Sequence, residues 1–553
     1  MKTPLLLVAL LATTPAFAQI AIPPISDPGA LQQQRIDEAE RLRQLEQIER
    51  PIVRDPLSEP AAPAAIERPE ADGPRFALRE VRFSPSEILT AETLRALAAQ
   101  YEGRTVAIGE LLELVERVNA AYRAQRVVTA QAVLPPQEVA DGIVVIRLVE
   151  GRLGTLTIDG NTTTRDGFIR SRIGLRPGEL VDLPSLEHDL IRFNRYHDVQ
   201  LRGSLKPGTV FATSDLEILA EEPRRHDLRV SLDNAGGEST GRWRLGVVYL
   251  NRSMFGFRDE LSLATTQAIG QKSYSIGYGI PVNTSGGRLS IAHYRDDIRV
   301  KRGPLSSLDL TGESSGTVLS LRQPLHATDT LRLDVTAGAK RRTTTNWISG
   351  VFLQRTRTTD ANIALDLQWA DTRGIWLASY GLVSGRADGL DRDRYRLGRG
   401  SVRRFQNLSE DWSLRGGVSF QHARDKLLPS SEQMLIGGEY SVRGYPVGTY
   451  AGDSGITLNL ELHHPMRDFQ IGASSRPVSA SGFFFVDHGR VKPFRAPGGT
   501  LPAVEKLTGI GWGMNAAIGQ NITARLTLAR GLDRVQNVSR RNEVHFQLVA
   551  SFL

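Results

Sequence analysis

Hydrophobic and polar positions along the chain change rhythm three times. Between residues 28 and 50 apolar side chains are sparse. Leu31, Ala39, Leu42, Leu45 and Ile48 recur at near-helical spacing among Gln, Glu and Arg, which predicts one polar, weakly amphipathic helix. Six prolines follow between Pro51 and Pro74, among Ala and charged residues. Proline fixes φ and lacks a backbone N–H, so 51–75 reads as an extended linker with no core of its own, on which the helix can move.

Residues 76–150 and 151–223 carry one α+β pattern twice. The first copy opens with a strand over 76–83. A helix places Leu94, Leu97, Ala98 and Tyr101 on one face. A second helix does the same with Leu111, Val115, Val118 and Tyr122. Strands over 127–134 and 143–149 close the unit. The second copy runs from a strand at 153–158 through a short helix near 166–172 and a longer one with Leu186, Leu190 and Phe193. Strands at 199–205 and 214–219 follow. Such self-similarity marks an internal repeat.

From about residue 224 helical periodicity disappears. Leu261, Leu263 and Thr265 alternate with Ser262, Ala264 and Thr266. Leu331, Leu333 and Val335 alternate with Arg332, Asp334 and Thr336. The last segment sets Val544, Phe546, Leu548, Ala550 and Phe552 against His545, Gln547, Val549 and Ser551. Alternating strands separated by turn residues are the pattern of an outer-membrane β-barrel, and about 20 residues per strand with its connection allows roughly 16 strands over 224–553. A closed barrel also leaves no unpaired edge in lipid.

Composition narrows the chemistry. The 553 residues include no Cys, which excludes a disulfide framework, cysteine-ligated metal and thiol catalysis. The net charge of +7 comes from 68 basic and 61 acidic residues that are scattered along the chain, so no nucleic-acid partner is expected. Lys2, the apolar run Leu5 to Leu11 and Ala16-Phe17-Ala18 predict a signal peptide over 1–18. Beyond it no run of 18 apolar residues occurs, so helical membrane spans are excluded and a barrel is not. An exported chain works without ATP, and no Walker A motif is present.

These features together resemble the TpsB transporters of two-partner secretion, the haemolysin and adhesin secretion/activation proteins, over essentially the whole mature chain. The first repeat ends in Leu134-Pro135-Pro136-Gln137, an apolar strand and Glu150-Gly151-Arg152. The second carries Gly160-Asn161, Arg176-Pro177-Gly178 and Lys206-Pro207-Gly208. The barrel region contains Val442-Arg443-Gly444-Tyr445 and, later, Phe485-Val486-Asp487-His488-Gly489.

The resemblance implies a plug helix within 19–50 (Leu31, Leu42, Leu45, Ile48), the linker, two POTRA domains and a 16-stranded barrel. It implies a loop around 427–455 folded into the lumen, whose Arg443 meets the wall residue Asp487, flanked by Phe485 and Gly489. It further implies a monomer inserted in outer-membrane lipid by the barrel-assembly machinery, with POTRA domains in the periplasm and no cofactor. The cargo would be a large exoprotein recognised while unfolded. The alternative is a barrel-assembly factor of the same superfamily, which usually carries more POTRA repeats and lacks the helix and linker. Two departures stand out: Leu553 follows Phe552 at the terminus, and His463-His464 replace the family's usual Arg and Tyr.

Other motifs read as structure, so no catalytic residue and no metal site are expected. Gly312-Glu313-Ser314-Ser315-Gly316 has the letters of a nucleophile elbow, but an alternating segment follows where a helix is needed. Gly452-Asp453-Ser454-Gly455 reads as a turn. Gly511-Trp512-Gly513 lacks a surrounding βαβ unit. Glu461 and His463 share a strand face and read as a polar lumen wall.

Overall fold

The computed structural model describes residues 27–49, 55–58 and 75–552, apart from breaks at 128, 140, 304, 389–393, 425–426, 472–475, 494–502 and 536–541. The expected signal segment and Leu553 lie outside the described residues, as do the side chains of Leu42, Leu45 and Ile48.

The first α+β unit is built on two helices whose apolar faces meet a small sheet. Thr90 caps Ala91–Ala98, and Glu110 accepts from the Ala107 N–H to start Ile108–Ala124. Leu94, Leu111, Leu114, Val118 and Tyr122 are buried against Val144 and Ile146. The expected strand at 76–83 is two strands. Arg75–Leu78 pairs with Arg104–Ala107, a strand the periodicity did not predict. Glu80–Phe83 pairs parallel to Ile143–Glu150. The switch falls at Arg79, whose N–H, like that of Glu80, turns to the Gly142 carbonyl. The strand expected at 127–134 is confined to Ala130–Val133, ahead of Pro135 and Pro136.

In the second unit the helix Leu183–Tyr196, capped by Asp182, buries Leu186, Leu190 and Phe193 against Leu201, Leu216 and Ile218. Its sheet holds a correction to the linker reading. Leu57–Ser58 pairs parallel with Gly203 and Ser204, at the edge of strand Gln200–Pro207, and Leu57 packs on the domain core. The linker is therefore a partner of this domain along part of its length. Gly203 suits the pairing, since a Cβ there would stand 3.0 Å from the tip of the Leu57 side chain, which would have to shift by a few tenths of an ångström.

This second unit is seated on the barrel. The Tyr196 hydroxyl donates to Asp334 at 2.8 Å, while Arg332 stacks on its ring at 4.6 Å. Asp198 pairs with Arg258, and the Arg165 N–H donates to the Gly256 carbonyl at 3.0 Å.

The barrel runs antiparallel from His226–Asp233 to Asn542–Phe552, which pair with each other to close it. Phe469–Ile471 continues Ser454–Pro465 along the same neighbour, Arg476–Lys492, so the closed sheet has 16 staves. Alternation sorts its faces: Leu263, Ile276, Ile291, Leu319, Phe484 and Trp512 stand exposed outside, while Ser262, Ala264 and Thr266 line the lumen. No helix among the described residues is long and apolar enough to cross a membrane.

Glu222, at the exit from the second unit, gives a testable link between fold and pH. Partial burial pushes its carboxyl pKa up, but hydrogen bonds from Thr164, Thr163 and Thr162 overcome this and hold it at about 2. The folded pKa is depressed, so its stabilisation is complete above the ordinary 4.5 and is lost as pH falls toward about 2. Glu222→Gln is expected to destabilise the domain at pH 7 by about 1 kcal/mol, given the partial exposure. The gap from wild type should close between pH 4.5 and 2. Thermal unfolding across that range checks it, and a gap unchanged at the acid end contradicts it.

Candidate functional site

The chain between the strands Ser413–Ala423 and Ser454–Pro465 folds back into the lumen. Its neck is closed by Asp453, which accepts from the backbone N–H groups of Leu427 and Leu428 at 2.7 and 3.1 Å. The short pairing of Met434–Ile436 with Tyr450–Gly452 narrows it further. Val442, Arg443, Gly444 and Tyr445 form the tip, and all four are buried.

The wall beneath the tip is prepared by strand alternation. On Arg476–Lys492, Phe485, Asp487 and Gly489 share the lumen face, and Asp487 lies opposite Asn459 on the neighbouring strand. The Arg443 guanidinium meets Asp487 in a two-pronged contact, Nε to Oδ2 at 2.6 Å and Nη2 to Oδ1 at 2.8 Å. Its own backbone N–H adds a third bond to Oδ2 at 3.1 Å. Asn459 donates to Asp487 Oδ1 at 2.8 Å and to the Ser441 carbonyl at 2.6 Å, tying wall to loop. The remaining Arg443 nitrogen, Nη1, donates to Glu461 Oε1 at 2.5 Å. The guanidinium also lies 3.6 Å from the centre of the Phe485 ring. Arg443 is 2% exposed and Asp487 0%. Such a pair offsets its desolvation only with good geometry and further hydrogen bonds, and here each guanidinium nitrogen donates to a carboxylate oxygen.

Backbone fit supports the charges. Gly444 sits at φ 93°, a left-handed conformation that favours glycine, and a Cβ there would lie 2.5 Å from the Gly531 nitrogen. A Cβ at Gly489 would stand 2.7 Å from Val442, and one at Gly509 would overlap the Arg443 carbonyl oxygen. Gly509 pairs with Asp487 and Gly531 with Gly509 along the wall, so glycines on successive strands let the tip lie flat. Val442 and Tyr445 fill a pocket with Ile436, Val491 and Leu507. The Tyr445 hydroxyl donates to the Thr508 carbonyl at 2.9 Å.

The helix Pro28–Glu49 lies in the same lumen. Asp27 caps it, accepting from the Ala30 N–H at 2.9 Å. Leu31 is buried at its first turn. Gln32 donates to Asp296 at 2.6 Å and Arg35 pairs with the same carboxylate. Gln33 accepts from Arg342 at 2.7 Å, and Glu38 pairs with Arg244 at 2.9 Å. The helix is thus held by polar side chains on three sides, with little apolar packing among its described side chains.

Several of these residues were not singled out by sequence. Glu432, fully buried at the loop's stem, takes Lys340 at 2.8 Å, Arg399 at 3.1 Å and Arg342 at 3.5 Å. Lys340 and Arg342 also hold Gln33, so helix and loop share cations. The inward parity of Lys340 and Arg342 on an alternating strand was a legible signal; nothing local marked Glu432. Glu461 and His463 face the lumen, but Glu461 is engaged by Arg443, Arg525 and His463. Ser314 is strand wall, bonded to Gln32 and Thr344. A cavity of about 1360 Å³ lies beside the helix and the loop tip, lined among others by Arg35, Tyr196, Arg229, Arg252 and Arg443.

Gly509→Val should keep the barrel and unseat the tip, because its side chain takes the space of the Arg443 carbonyl. The expected readout is a heat-modifiable barrel whose 427–455 loop becomes cleavable by protease; an uncut loop contradicts the fit.

The family described as haemolysin secretion/activation protein ShlB/FhaC/HecB matches residues 212–516, and the ShlB-type POTRA domain matches 76–151. The heme/hemopexin transporter protein HuxB of Haemophilus influenzae is 24% identical over 505 residues, 87% of this chain and 88% of that one. The outer membrane transporter CdiB of Dickeya dadantii is 25% identical over 413 residues, covering 71% and 73%. In fold, CdiB from Escherichia coli superposes with a TM-score of 0.68 at 18% identity, over 96% of this chain and 99% of that one. The lumen-filled 16-stranded barrel behind POTRA-type domains is a transporter of the outer membrane, not an enzyme, and the chain belongs to the haemolysin secretion/activation family ShlB/FhaC/HecB.

Proposed function

We propose that this transporter takes a large exoprotein while it is unfolded, on its periplasmic POTRA domains, and passes it through a barrel gated by the helix and the Arg443 loop. The observation that carries the reading is how the lumen is filled. Both occupants are tethered pieces of the chain, held by hydrogen bonds and ion pairs such as Gln32–Asp296 and Arg443–Asp487. Polar contacts can be exchanged for water or for a passing polar chain, whereas an apolar core could not open into an aqueous pore. The exported protein has no nucleotide to spend, so folding of the cargo outside the cell supplies the free energy. An unfolded chain presents backbone N–H and C=O groups, which the sheet edges of the POTRA domains can meet by strand addition. The outward apolar face sits in lipid, and the barrel-assembly machinery inserts it.

Deleting residues 31–50 should raise ion conductance in planar bilayers several-fold while the barrel stays assembled. Unchanged conductance would remove the helix from the gate. Secretion of a co-expressed partner should fall to background when the POTRA domains, 76–223, are deleted; secretion at wild-type level would contradict capture by these domains.

A further inference from the structure

The least expected hydrogen bonds in the molecule lie in the first POTRA domain. Ala130–Val133 and Ile143–Glu150 form an antiparallel hairpin whose pairing runs from Ala130 opposite Glu150 to Val133 opposite Arg147. Continuing that ladder would set Pro135 opposite Val145. Pro135 and Pro136 have no N–H, so the ladder stops. The Val145 backbone is then served by a side chain. Its N–H donates to Gln137 Oε1 at 2.8 Å, and Gln137 Nε2 donates to its carbonyl at 2.8 Å. Gln137 Nε2 also reaches the Pro135 carbonyl at 3.3 Å.

A carboxamide that both accepts from and donates to one strand residue does what a peptide unit of a neighbouring strand would do. The position is thus an amide-recognising slot filled by the Gln137 carboxamide. It lies at the surface: Val145 is 42% exposed and Val139 39%. Val144 and Ile146 point into the core on the same strand, and Glu80–Phe83 fills the strand's other edge, so the slot is rigid.

Parts of other edges are covered differently. Strand Gln200–Pro207 carries the linker residues Leu57–Ser58. The start of Arg152–Asp159 is bonded to Gly178 and Glu179 by backbone. The Ala132 N–H is taken by buried Asn119 at 2.7 Å. Gln137 is half-buried and belongs to no apolar cluster, so it can swing aside without opening a core.

We propose that the Ile143–Val145 edge docks an extended segment of the transported chain, with Gln137 as its exchangeable cover. This rests on the strand-capture reading above and names the edge that performs it.

The test uses full-length transporter in nanodiscs. The probe is a capped eight-residue peptide of alternating Thr and Val, with a control N-methylated on every second residue. Affinity is read by fluorescence anisotropy and location by amide hydrogen exchange. The plain peptide should slow exchange at Ile143 and Val145, and the N-methylated one should not. Gln137→Ala should bind it about tenfold tighter, because two net hydrogen bonds need no longer be broken first. Gln137→Asn, too short to reach Val145, should move affinity the same way and covers the case in which Gln137→Ala fails to fold. Unchanged affinity in the folded variants overturns the proposal. Protection confined to Arg152–Asp159 overturns the assigned edge and leaves strand capture standing. Protection at no strand edge overturns both.

Discussion

A guanidinium buried in the lumen of a β-barrel must find its hydrogen-bond acceptors within the protein, and each of the three Arg443 guanidinium nitrogens has a carboxylate acceptor. Asp487 takes two prongs and the backbone N–H, Glu461 takes the third nitrogen, and Phe485 supplies the ring face. The rest of the loop's architecture follows from that demand. Glycines 489, 509 and 531 flatten the wall so that the tip can come close enough, and Gly444 supplies the turn that aims the side chain. Arg suits this place because its planar fork matches a carboxylate, whereas Lys offers one point charge.

Three latches of different kinds fill the lumen. The tip latch is the Arg443 contact. The stem latch is Glu432 among Lys340, Arg342 and Arg399. The helix latch is Gln32, Arg35 and Glu38 on Asp296 and Arg244. Because Lys340 and Arg342 serve stem and helix together, withdrawing Glu432 leaves Arg342 with the neutral Gln33 amide and Lys340 with Asp360 as its remaining carboxylate. The barrel itself depends on none of them, since its ladder closes through Leu228 opposite Phe552.

Much of this was legible in the sequence. Period-two alternation identified the barrel and sorted its faces, as Val544 to Phe552 illustrates. The repeated helix pattern identified both POTRA units. Arg443 and Asp487 became a pair only through a family resemblance, because alternation says that Asp487 faces the lumen and not what it meets there. Glu432 was missed for the same reason: Lys340 and Arg399 lie 92 and 33 residues away in sequence and meet it only when the barrel closes, and Glu461 was read as lumen wall without its partner Arg443. The linker's pairing with Gly203 was hidden because two residues, Leu57 and Ser58, are too few to set a period. Pro135 and Pro136 were visible, yet their effect on the opposite strand appears only once the hairpin's register is known.

The most direct measurement is a double-mutant cycle on partner secretion with Arg443→Ala, Asp487→Ala and the combination. Removing one member of a buried pair typically costs about 3–5 kcal/mol, because the other charge is stranded. That is enough to unseat a loop and too little to dissolve a closed ring of backbone hydrogen bonds. Each single change should therefore strongly reduce secretion with the barrel still inserted and heat-modifiable, and the double change should cost little more than either alone. Losses that simply add, with no coupling between the two sites, would contradict the account and place the loop's anchor in other contacts.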